Sequence, residues 1–396
     1  MKVIIIGAGA AGLTAAIKAA TNGAEVTVLE HENKPGKKIM ITGNGKCNIT
    51  NTNLSGEKYY GNGEFIRKVL SQFDAEDTIK FFHDMGVITK NKNGYIYPQS
   101  GQASTVLNTL RDTAIHLGVS IKTNNQIEKI EKKNTGFDVH IGIVMHCDKL
   151  IIATGGMSYP KTGSRGDGYK LAKNFGHTII EPKPALTALI CDKNSLLKAS
   201  GVRVQAKVSV KDNGKIVATD IGEVQIADYG ISGIPIFNIS HMTKTGSEII
   251  IDFMSESDDI HTKNMITDSL RRRYFMSVSQ ALNGIFHEKL VNALLDDLEI
   301  NKSQKAASIS DFQIDCLVKK IKNYTLCVKS RRGFDFAQIT QGGIDTNEIN
   351  GETMESKLVN NLYFAGEILD VDGICGGYNL QFAWATGAIA GGNCHG

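Results

Sequence analysis

The hydrophobic pattern at the start of the chain predicts a β-α-β unit. Residues 3–6 are all apolar, as expected for a strand of a parallel sheet that is covered on both faces. The alanine-rich segment at 13–22 predicts a helix that stops at Asn22-Gly23. The run AEVTVLE at 24–30 then predicts a second strand.

Three glycines with G-x-G-x-x-G spacing connect the first strand to the helix. Gly7 permits the tight turn, Gly9 lets the backbone approach a pyrophosphate, and Gly12 lets helix and strand pack closely. The N–H groups at the helix start, with about half a unit of positive charge, face the phosphates. Glu30, at the tip of the second strand, can accept hydrogen bonds from both ribose hydroxyls. We therefore predict a dinucleotide site, the alternative being a glycine turn that only packs the unit.

Two distant segments favour FAD over a nicotinamide nucleotide. One buried strand, 150–153, breaks at a Thr-Gly-Gly turn, and another, 362–365, ends in Gly366-Glu367 and precedes a helix from about Tyr378. FAD is long enough to require both chain ends, whereas a simple NAD dehydrogenase has no need to return to its nucleotide site. The second segment resembles the late motif of two-dinucleotide flavoproteins, which implies that the backbone amides at the start of the last helix stabilise the anion of reduced flavin. The alternative is an ordinary C-terminal αβ unit. No second G-x-G-x-x-G follows a strand, so a separate NAD(P)H domain is not expected.

The middle of the chain changes pattern twice. Residues 202–210 alternate apolar and polar, and the pattern resumes after a turn at 212–214, which predicts an antiparallel hairpin. Another strand is predicted within 246–254, and the composition fits a small barrel. From Ser255 the spacing becomes helical, with further helical segments near 278–297 and 310–322. Without an active-site signature, we predict that this insert roofs the flavin and shapes the substrate pocket, the alternative being an interaction module.

Length and composition narrow the class of protein. At 396 residues, two or three domains are expected, and 41% hydrophobic with 21% charged residues is typical of a globular chain. No run of about 18 apolar residues predicts a membrane span. The chain starts directly with a strand and not a signal peptide, so we expect a cytoplasmic protein. The net charge of +3 predicts no nucleic-acid partner, and the run RRRY, Arg271 to Tyr274, is interpreted as a solvated helix face.

Seven cysteines are scattered without a CxxC pair, which disfavours a disulfide framework, a zinc site and a dithiol redox centre. Neither histidine nor cysteine spacing predicts a metal site. Cys47, within the glycine-rich run GNGKCNITN at 43–51, is a candidate for a chemical role, although packing or flavin contact is the alternative. Tyr159 is the second candidate, as an aromatic pocket wall. No general base is predicted.

Several motifs closely resemble those of the BaiN-like flavoproteins, a group that includes aminoacetone oxidase-type enzymes and is described as NAD(P)/FAD-dependent oxidoreductases. The motifs are IIIGAGAAG, GKKIMITGNGKCNITN, ATGGMSYPKTGSRGDGY, ITQGGI and ESKLVNNLYFAGEILDVDGICGGYNLQFAWATG. The match covers roughly residues 1–187 and 325–396. The resemblance implies that 43–51 lies against the flavin. One departure is GYIYP, with Tyr95, where the family commonly has an arginine in GRVFP, so an anionic substrate is in doubt.

These observations predict an α/β fold, with a Rossmann-like FAD/NAD(P)-binding domain of glutathione-reductase type that the resemblance implies is interrupted by an insert. The predicted domains are the first part of the FAD-binding domain at 1–187, a β-barrel at 188–255, a helical subdomain at 256–324 and the C-terminal part of the FAD-binding domain at 325–396. The predicted cofactor-binding residues are Gly7, Gly9, Ala10, Ala11, Gly12, Glu30, Lys38, Gly43, Gly45, Asn48, Ile127, Thr154, Gly155, Gly366, Glu367, Gly377, Asn379 and Leu380.

The predicted function is that of an FAD-dependent oxidoreductase that exchanges a hydride between flavin N5 and a small organic substrate, an amine, an alcohol or an enone. An alternative is a flavin reductase-type enzyme that takes its hydride from freely diffusing NAD(P)H. A flavoprotein acting on RNA and a non-catalytic FAD-binding protein are the remaining alternatives. The oligomeric state is left open.

Overall fold

The computed structural model describes residues 1–394. Within them the helices, numbered along the chain, are α1 (Ala10–Thr21), α2 (Lys37–Ile41), α3 (Gly63–Gln72), α4 (Ala75–Asp84), α5 (Ala103–His116), α6 (Asp167–Asn174), α7 (Ile234–Ser240), α8 (Asp259–Arg272), α9 (Val278–Leu282), α10 (Glu288–Asp297), α11 (Asp311–Lys322) and α12 (Tyr378–Gly392).

The strands within the same residues, also numbered along the chain, are β1 (Lys2–Ile6), β2 (Glu25–Leu29), β3 (Thr50–Asn51), β4 (Tyr59–Gly61), β5 (Thr89–Lys92), β6 (Tyr95–Pro98), β7 (Ser120–Lys122), β8 (Lys129–Lys132), β9 (Phe137–His140), β10 (Val144–Cys147), β11 (Lys149–Ile152), β12 (Ile179–Ala185), β13 (Leu189–Cys191), β14 (Arg203–Asp212), β15 (Lys215–Ala227), β16 (Gly230–Ser232), β17 (Glu248–Asp252), β18 (Tyr324–Arg331), β19 (Ile339–Ile344), β20 (Leu362–Phe364) and β21 (Val371–Gly373).

The chain divides into two compact units. The first unit comprises residues 1–184 together with 338–394, and the second unit comprises Ala185–Ala337. The first unit is therefore built from both ends of the described chain. The predicted return to the FAD-binding domain at residue 325 comes too early, because β18 is a strand of the second unit's barrel.

A five-stranded parallel sheet is the centre of the first unit. Its strand order is β20-β11-β1-β2-β7, so β1 lies between the strand that follows it in sequence and a strand from much later in the chain. The order reverses at β1, and in such sheets ligands bind at the carboxyl ends of the strands beside this reversal. Residues 3–6 are at most 4% exposed, as their continuous apolar run predicts. The predicted α/β Rossmann-like fold is thus confirmed.

Two helices from opposite ends of the chain touch backbone to backbone in the first unit. A methyl group at Gly387 of α12 would lie less than 3.0 Å from the carbonyl oxygen of Ala11 in α1. One at Gly391 would meet the carbonyl oxygen of Ala15 in the same way. Glycine is therefore required at both positions of α12, because any side chain would force the helices apart.

The second unit contains a closed six-stranded barrel with the strand order β13-β16-β15-β14-β17-β18. The predicted hairpin is β14 and β15, and the inward residues Val208 and Val210 are fully buried, as the alternating pattern requires. Five helices, α7 to α11, belong to the same unit. The single helical segment predicted near 278–297 is two helices, because the chain turns through Gly284 and His287 caps α10 by accepting a hydrogen bond from the Lys289 amide.

Across residues 1–394, no helix has both the length and the apolar character that crossing a membrane requires.

A buried histidine in the first unit joins three segments of chain. His177 is 3% exposed, and its Nε2 lies 2.8 Å from Ser356 Oγ while its Nδ1 lies 2.9 Å from Glu348 Oε2. Ser356 Oγ already accepts the N–H groups of Leu358 and Val359, so its proton is donated to Nε2 and the Nδ1–H is donated to Glu348. This arrangement requires a neutral imidazole.

Acidification is expected to weaken the fold through His177. Burial lowers the pKa of this imidazole below its usual value of 6.5, an effect that the Glu348 carboxylate partly opposes. Because the unfolded chain binds the proton more readily, the free energy of unfolding should fall as pH drops below about 6.5, by up to about 1.4 kcal/mol per pH unit. Urea unfolding between pH 7.5 and 5.0, with wild type beside His177→Gln, measures this slope. Equal slopes in the two proteins would contradict the assignment.

Candidate active site

A cavity of about 650 Å³ opens in the first unit at the carboxyl ends of its parallel strands. One wall of the cavity is formed by residues that end or directly follow four strands, β1, β2, β11 and β20. These residues are Ile6, Leu29, Ala153 and Ala365. Every residue that lines the cavity belongs to the first unit. Of the predicted cofactor-binding residues, those that line it are Gly7, Gly9, Ala10, Ala11, Glu30, Lys38, Ile127, Thr154, Gly155, Gly366, Glu367, Asn379 and Leu380.

Two helix N-termini border this cavity. Gly9, Ala10 and Ala11 line it at the start of α1, and Asn379 and Leu380 line it at the start of α12. Neither helix has a side-chain cap or an acidic residue in its first turn. Their first N–H groups and the positive ends of their dipoles are therefore available to anionic or electron-rich groups of a ligand.

The three glycines of the G-x-G-x-x-G motif have separate structural roles. Gly7 has a φ of 101°, and a methyl group there would lie 2.5 Å from the carbonyl oxygen of Ala153. A methyl group at Gly12 would meet the Gly7 carbonyl at less than 3.0 Å, so Gly12 packs the helix on the turn and does not line the cavity. A methyl group at Gly9 would have no atom of the protein within 4 Å, and the residue faces the cavity. This matches a backbone that a phosphate approaches closely.

Glu30 follows directly after β2 and is 9% exposed. Its Oε2 accepts the Ala8 N–H at 2.9 Å, and its Oε1 accepts the Glu32 N–H at 2.8 Å. The two amides fix the orientation of the carboxylate, and each oxygen retains a second lone pair for a ligand hydroxyl. The geometry suits the predicted ribose contact.

An ion pair forms part of the cavity wall. Lys38 Nζ lies 2.6 Å from Glu367 Oε2, and Glu367 Oε1 accepts the Thr340 N–H at 2.9 Å. Lys38 is one of the predicted cofactor-binding residues, and its ammonium group here holds the carboxylate of Glu367, just beyond the end of β20. The pair joins α2 to the late part of the chain on one side of the cavity.

An unsatisfied hydroxyl also borders the cavity. Thr154 Oγ1 is buried and has no hydrogen-bond partner among residues 1–394, and Thr154 lines the cavity. A buried hydroxyl without a partner is costly, which favours a ligand atom as its partner. Two open helix N-termini, a fixed carboxylate, an open glycine and this hydroxyl together fit the phosphates, ribose and ring of a flavin dinucleotide.

No residue of the glycine-rich segment 43–51 lines the cavity. Thr42 lines the cavity, but the predicted contacts Gly43, Gly45 and Asn48 do not, and neither does Gly377. Directly after Thr42 the backbone turns through left-handed conformations at Gly43, Asn44 and Gly45, and again at Cys47.

The end of this segment is fastened to the last helix. Gln381 is fully buried, and its Oε1 accepts the Thr50 hydroxyl at 2.6 Å. Trp384 donates its indole N–H to the Ile49 carbonyl at 2.9 Å, and the Asn51 amide donates to the Gly376 carbonyl. A methyl group at Gly377 would lie 2.9 Å from the Thr50 carbonyl oxygen. These residues therefore hold the start of α12 in place.

Neither candidate for a chemical role lies in the cavity wall. Cys47 is fully buried, and burial raises the pKa of its thiol to about 12, so the reactive thiolate is absent at neutral pH. Tyr159 precedes the short turn Pro160–Thr162 with a φ of 53°, and it does not line the cavity. The structure thus favours packing roles for both side chains.

One wall of the cavity was not predicted from the sequence. The loop before α6 and the helix itself contribute Thr162, Gly163, Ser164, Asp167, Lys170 and Leu171. Glu32 fixes this loop beside the end of β2, because its Oε1 lies 2.9 Å from Arg165 Nη2 while its Oε2 binds Lys37. The cluster of glycines in GSRGDGY was the available signal, since it follows a strand end without forming a strand or a long helix.

Comparisons with known proteins agree with this geometry. The family described as HI0933-like protein Rossmann domain matches residues 1–393. A 3-dehydro-bile acid delta(4,6)-reductase of Clostridium scindens is 41% identical over 98% of this chain and 97% of its own length. A ribosomal RNA dihydrouridine synthase of Escherichia coli is 29% identical over 97% of this chain and 95% of its own length.

Among solved structures, the chain is similar in fold to 3-ketosteroid-delta4-(5alpha)-dehydrogenase from Rhodococcus jostii RHA1, solved in complex with 4-androstene-3,17-dione. The TM-score is 0.52 at 14% identity, and the alignment covers 99% of this chain and 96% of that chain. At this identity the similarity concerns the fold alone.

Proposed function

We infer, from the premise that this chain belongs to the HI0933-like family and is an FAD-dependent oxidoreductase, that its substrate is a small organic molecule with a carbon–carbon double bond conjugated to a carbonyl group. The proposed reaction is reduction of that bond, with NAD(P)H as a diffusing co-substrate. The atoms balance as NAD(P)H, a proton and the enone giving NAD(P)⁺ and the saturated ketone.

The chemistry named for the Clostridium scindens relative supports this substrate class. A 3-dehydro-bile acid carries a ketone, and delta(4,6) describes double bonds in conjugation with it. Such a bond accepts a hydride at its far carbon because the carbonyl oxygen takes up the developing negative charge. At 41% identity over nearly the whole chain, we propose the same type of bond for this protein without assigning the same molecule.

The observation that carries the proposal is that two uncapped helix N-termini, from opposite ends of the chain, border one cavity. We propose that α1 holds the pyrophosphate and that Glu30 holds the ribose. Bound FAD supplies the two-electron transfer chemistry. The start of α12 would place partial positive charge beside the electron-rich end of the ring.

Asn379 is positioned to keep the start of α12 fixed. Its Oδ1 accepts the Gly373 N–H at 2.7 Å, and its Nδ2 donates to the Gly373 carbonyl at 2.8 Å. The loop between Gly373 and Gly377 is thereby closed on the helix that follows it. We propose that this clamp keeps the α12 amides directed at the ligand, which preserves the electrostatic contribution without reorganisation.

The proposal is tested by anaerobic stopped-flow mixing. We expect NADPH or NADH to bleach the flavin absorbance, and a 3-keto-Δ4 steroid or cyclohexenone to restore it with formation of the saturated ketone. The matched saturated ketone should restore nothing. If oxygen restores the colour and no enone does, the substrate class is wrong. If amines alone bleach the enzyme, it is an oxidase instead.

A second candidate is reduction of uracil within RNA, which the relative from Escherichia coli supports at 29% identity over 97% of this chain. Forming dihydrouridine also saturates a carbon–carbon double bond conjugated to a carbonyl. The reduced enzyme should then be reoxidised by an unpaired uridine-containing RNA and not by an RNA lacking uridine. Reoxidation by the steroid enone alone favours the first candidate.

A further inference from the structure

We propose that the second unit carries a binding surface for unpaired RNA, independent of which reaction the first unit catalyses. The surface, called the arginine–aromatic patch, consists of Arg271, Arg272, Tyr274, Phe275 and Lys305. Four of its residues lie where α8 ends and the following loop begins, and Lys305 lies on a later segment. None of the five lines the cavity of the first unit.

Two large aromatic rings stand in solvent next to each other in this patch. Tyr274 is 61% exposed and Phe275 is 56% exposed. Their ring centroids lie 5.7 Å apart with an interplanar angle of 85°, so the two rings present faces in different directions. Isolated exposed apolar residues are ordinary, whereas adjacent exposed aromatic rings indicate a contact surface.

The loop that carries the rings is held in place by backbone hydrogen bonds. Ala306 donates its N–H to the Met276 carbonyl at 2.9 Å, and Val278 donates to the Gln304 carbonyl at 2.9 Å. Lys305 Nζ donates to the Phe275 carbonyl at 2.9 Å, which places an ammonium group beside the backbone of the residue that carries one ring. The rings therefore project from a fixed platform, so binding would cost little ordering entropy.

The cations of the patch are not neutralised by the protein. Within residues 1–394, no carboxylate lies within 4.0 Å of the charged groups of Arg271, Arg272 or Lys305. The neighbouring Lys302 and Lys263, by contrast, each have a carboxylate at 2.6 Å. The dipole of α8 explains cations in its last turn. It does not explain the exposed rings or Lys305, which lies on another segment.

This combination suits unpaired RNA. Arginine and lysine neutralise phosphates, and exposed aromatic faces stack on bases that are free of a duplex. Duplex DNA keeps its bases inside, so it would use only the cations. By its charge alone, the run RRRY is typical of a solvated helix face. The structure adds that Tyr274, the last residue of the run, and Phe275, which follows it, are both exposed, and that Lys305 from a separate segment donates a hydrogen bond to the Phe275 carbonyl.

The test measures binding of a fluorescent, unstructured oligoribonucleotide to the full FAD-loaded chain by anisotropy. We expect affinity to fall as salt rises from about 50 to 200 mM, with a slope of log K against log salt of about −0.7 per neutralised phosphate. The double variant Arg271→Gln, Arg272→Gln should reduce the magnitude of that slope by about 1.4. Tyr274→Ala or Phe275→Ala should weaken binding about tenfold, while Tyr274→Phe should retain it.

Matched controls separate the patch from general surface charge. Lys193→Gln with Lys215→Gln removes two exposed cations elsewhere in the second unit, and Phe312→Ala removes a 76% exposed ring outside the patch. Both should bind RNA as wild type does. Equal losses in control and patch variants, no RNA binding at the lowest salt, or patch-dependent binding to anionic vesicles in place of RNA would each overturn the proposal. None of these outcomes depends on enone or uridine reduction.

Discussion

Gly9→Ala is expected to deprive the protein of FAD while its fold persists. The backbone at Gly9 has a φ of −84° and a ψ of −164°, which alanine adopts without strain, and a methyl group there would contact no atom of the protein within 4 Å. The methyl would instead enter the cavity where we propose that the pyrophosphate approaches. We expect Kd for FAD to rise about 10- to 100-fold, corresponding to the usual cost of one misplaced methyl group in a close contact.

Flavin fluorescence during titration of the deflavinated protein measures this Kd, and thermal unfolding of the same apoprotein measures its stability. The loss of glycine before α1 should cost no more than about 1 kcal/mol. Gly63→Ala is the matched control, because that glycine also has open space around its Cβ position but lies away from the cavity. A Gly9→Ala protein that binds FAD as tightly as wild type would remove α1 as the phosphate site.

The adjacent pair Gly391 and Gly392 should respond to alanine in opposite directions. At Gly391 the new methyl would collide with the Ala15 carbonyl oxygen of α1, whereas at Gly392 nothing lies within 4 Å. We expect Gly391→Ala to lower the free energy of unfolding by about 3 kcal/mol, the upper range for overpacking of a close contact. Gly392→Ala should leave it unchanged or raise it by about 0.5 kcal/mol, since alanine is the better helix former.

Chemical denaturation of the two variants and of wild type measures these changes in the free energy of unfolding. The comparison is internal, because both variants add the same atom to neighbouring residues of one helix. If both variants unfold as wild type does, then α1 and α12 are not in backbone contact in solution. The close packing of these two helices would then not explain how the two chain ends form one unit.

Local patterns were sufficient to predict the sheet, the glycine turn and the barrel. The apolar run at 3–6, the fingerprint glycines and Glu30 act over short distances in sequence, so their roles follow from local geometry. The alternating positions of the hairpin likewise depend only on which face of β14 and β15 is buried. The resemblance to BaiN-like flavoproteins, which is confirmed, rests on motifs at both chain ends that include the apolar run and the glycine turn.

Tertiary partners explain what the sequence could not reveal. The segment 43–51 was expected against the flavin, yet its end is held by Gln381 and Trp384, more than 300 residues away. Nothing in the polarity of Thr50 indicates that its hydroxyl belongs to a buried glutamine. Similarly, Lys38 could be predicted as a cofactor-binding residue, but its pairing with Glu367 depends on the tertiary fold, which brings α2 beside the residues that follow β20.

Because α1 and α12 border the same cavity, the order of protein synthesis determines when a cofactor can be captured. A ribosome that adds about 5 to 20 residues per second completes α12 roughly 20 to 70 s after α1. During that interval the nascent chain offers half of a nucleotide site and can fold the second unit ahead of the first. A transcript truncated anywhere before α12 would therefore yield a colourless polypeptide, however well its first βαβ unit forms.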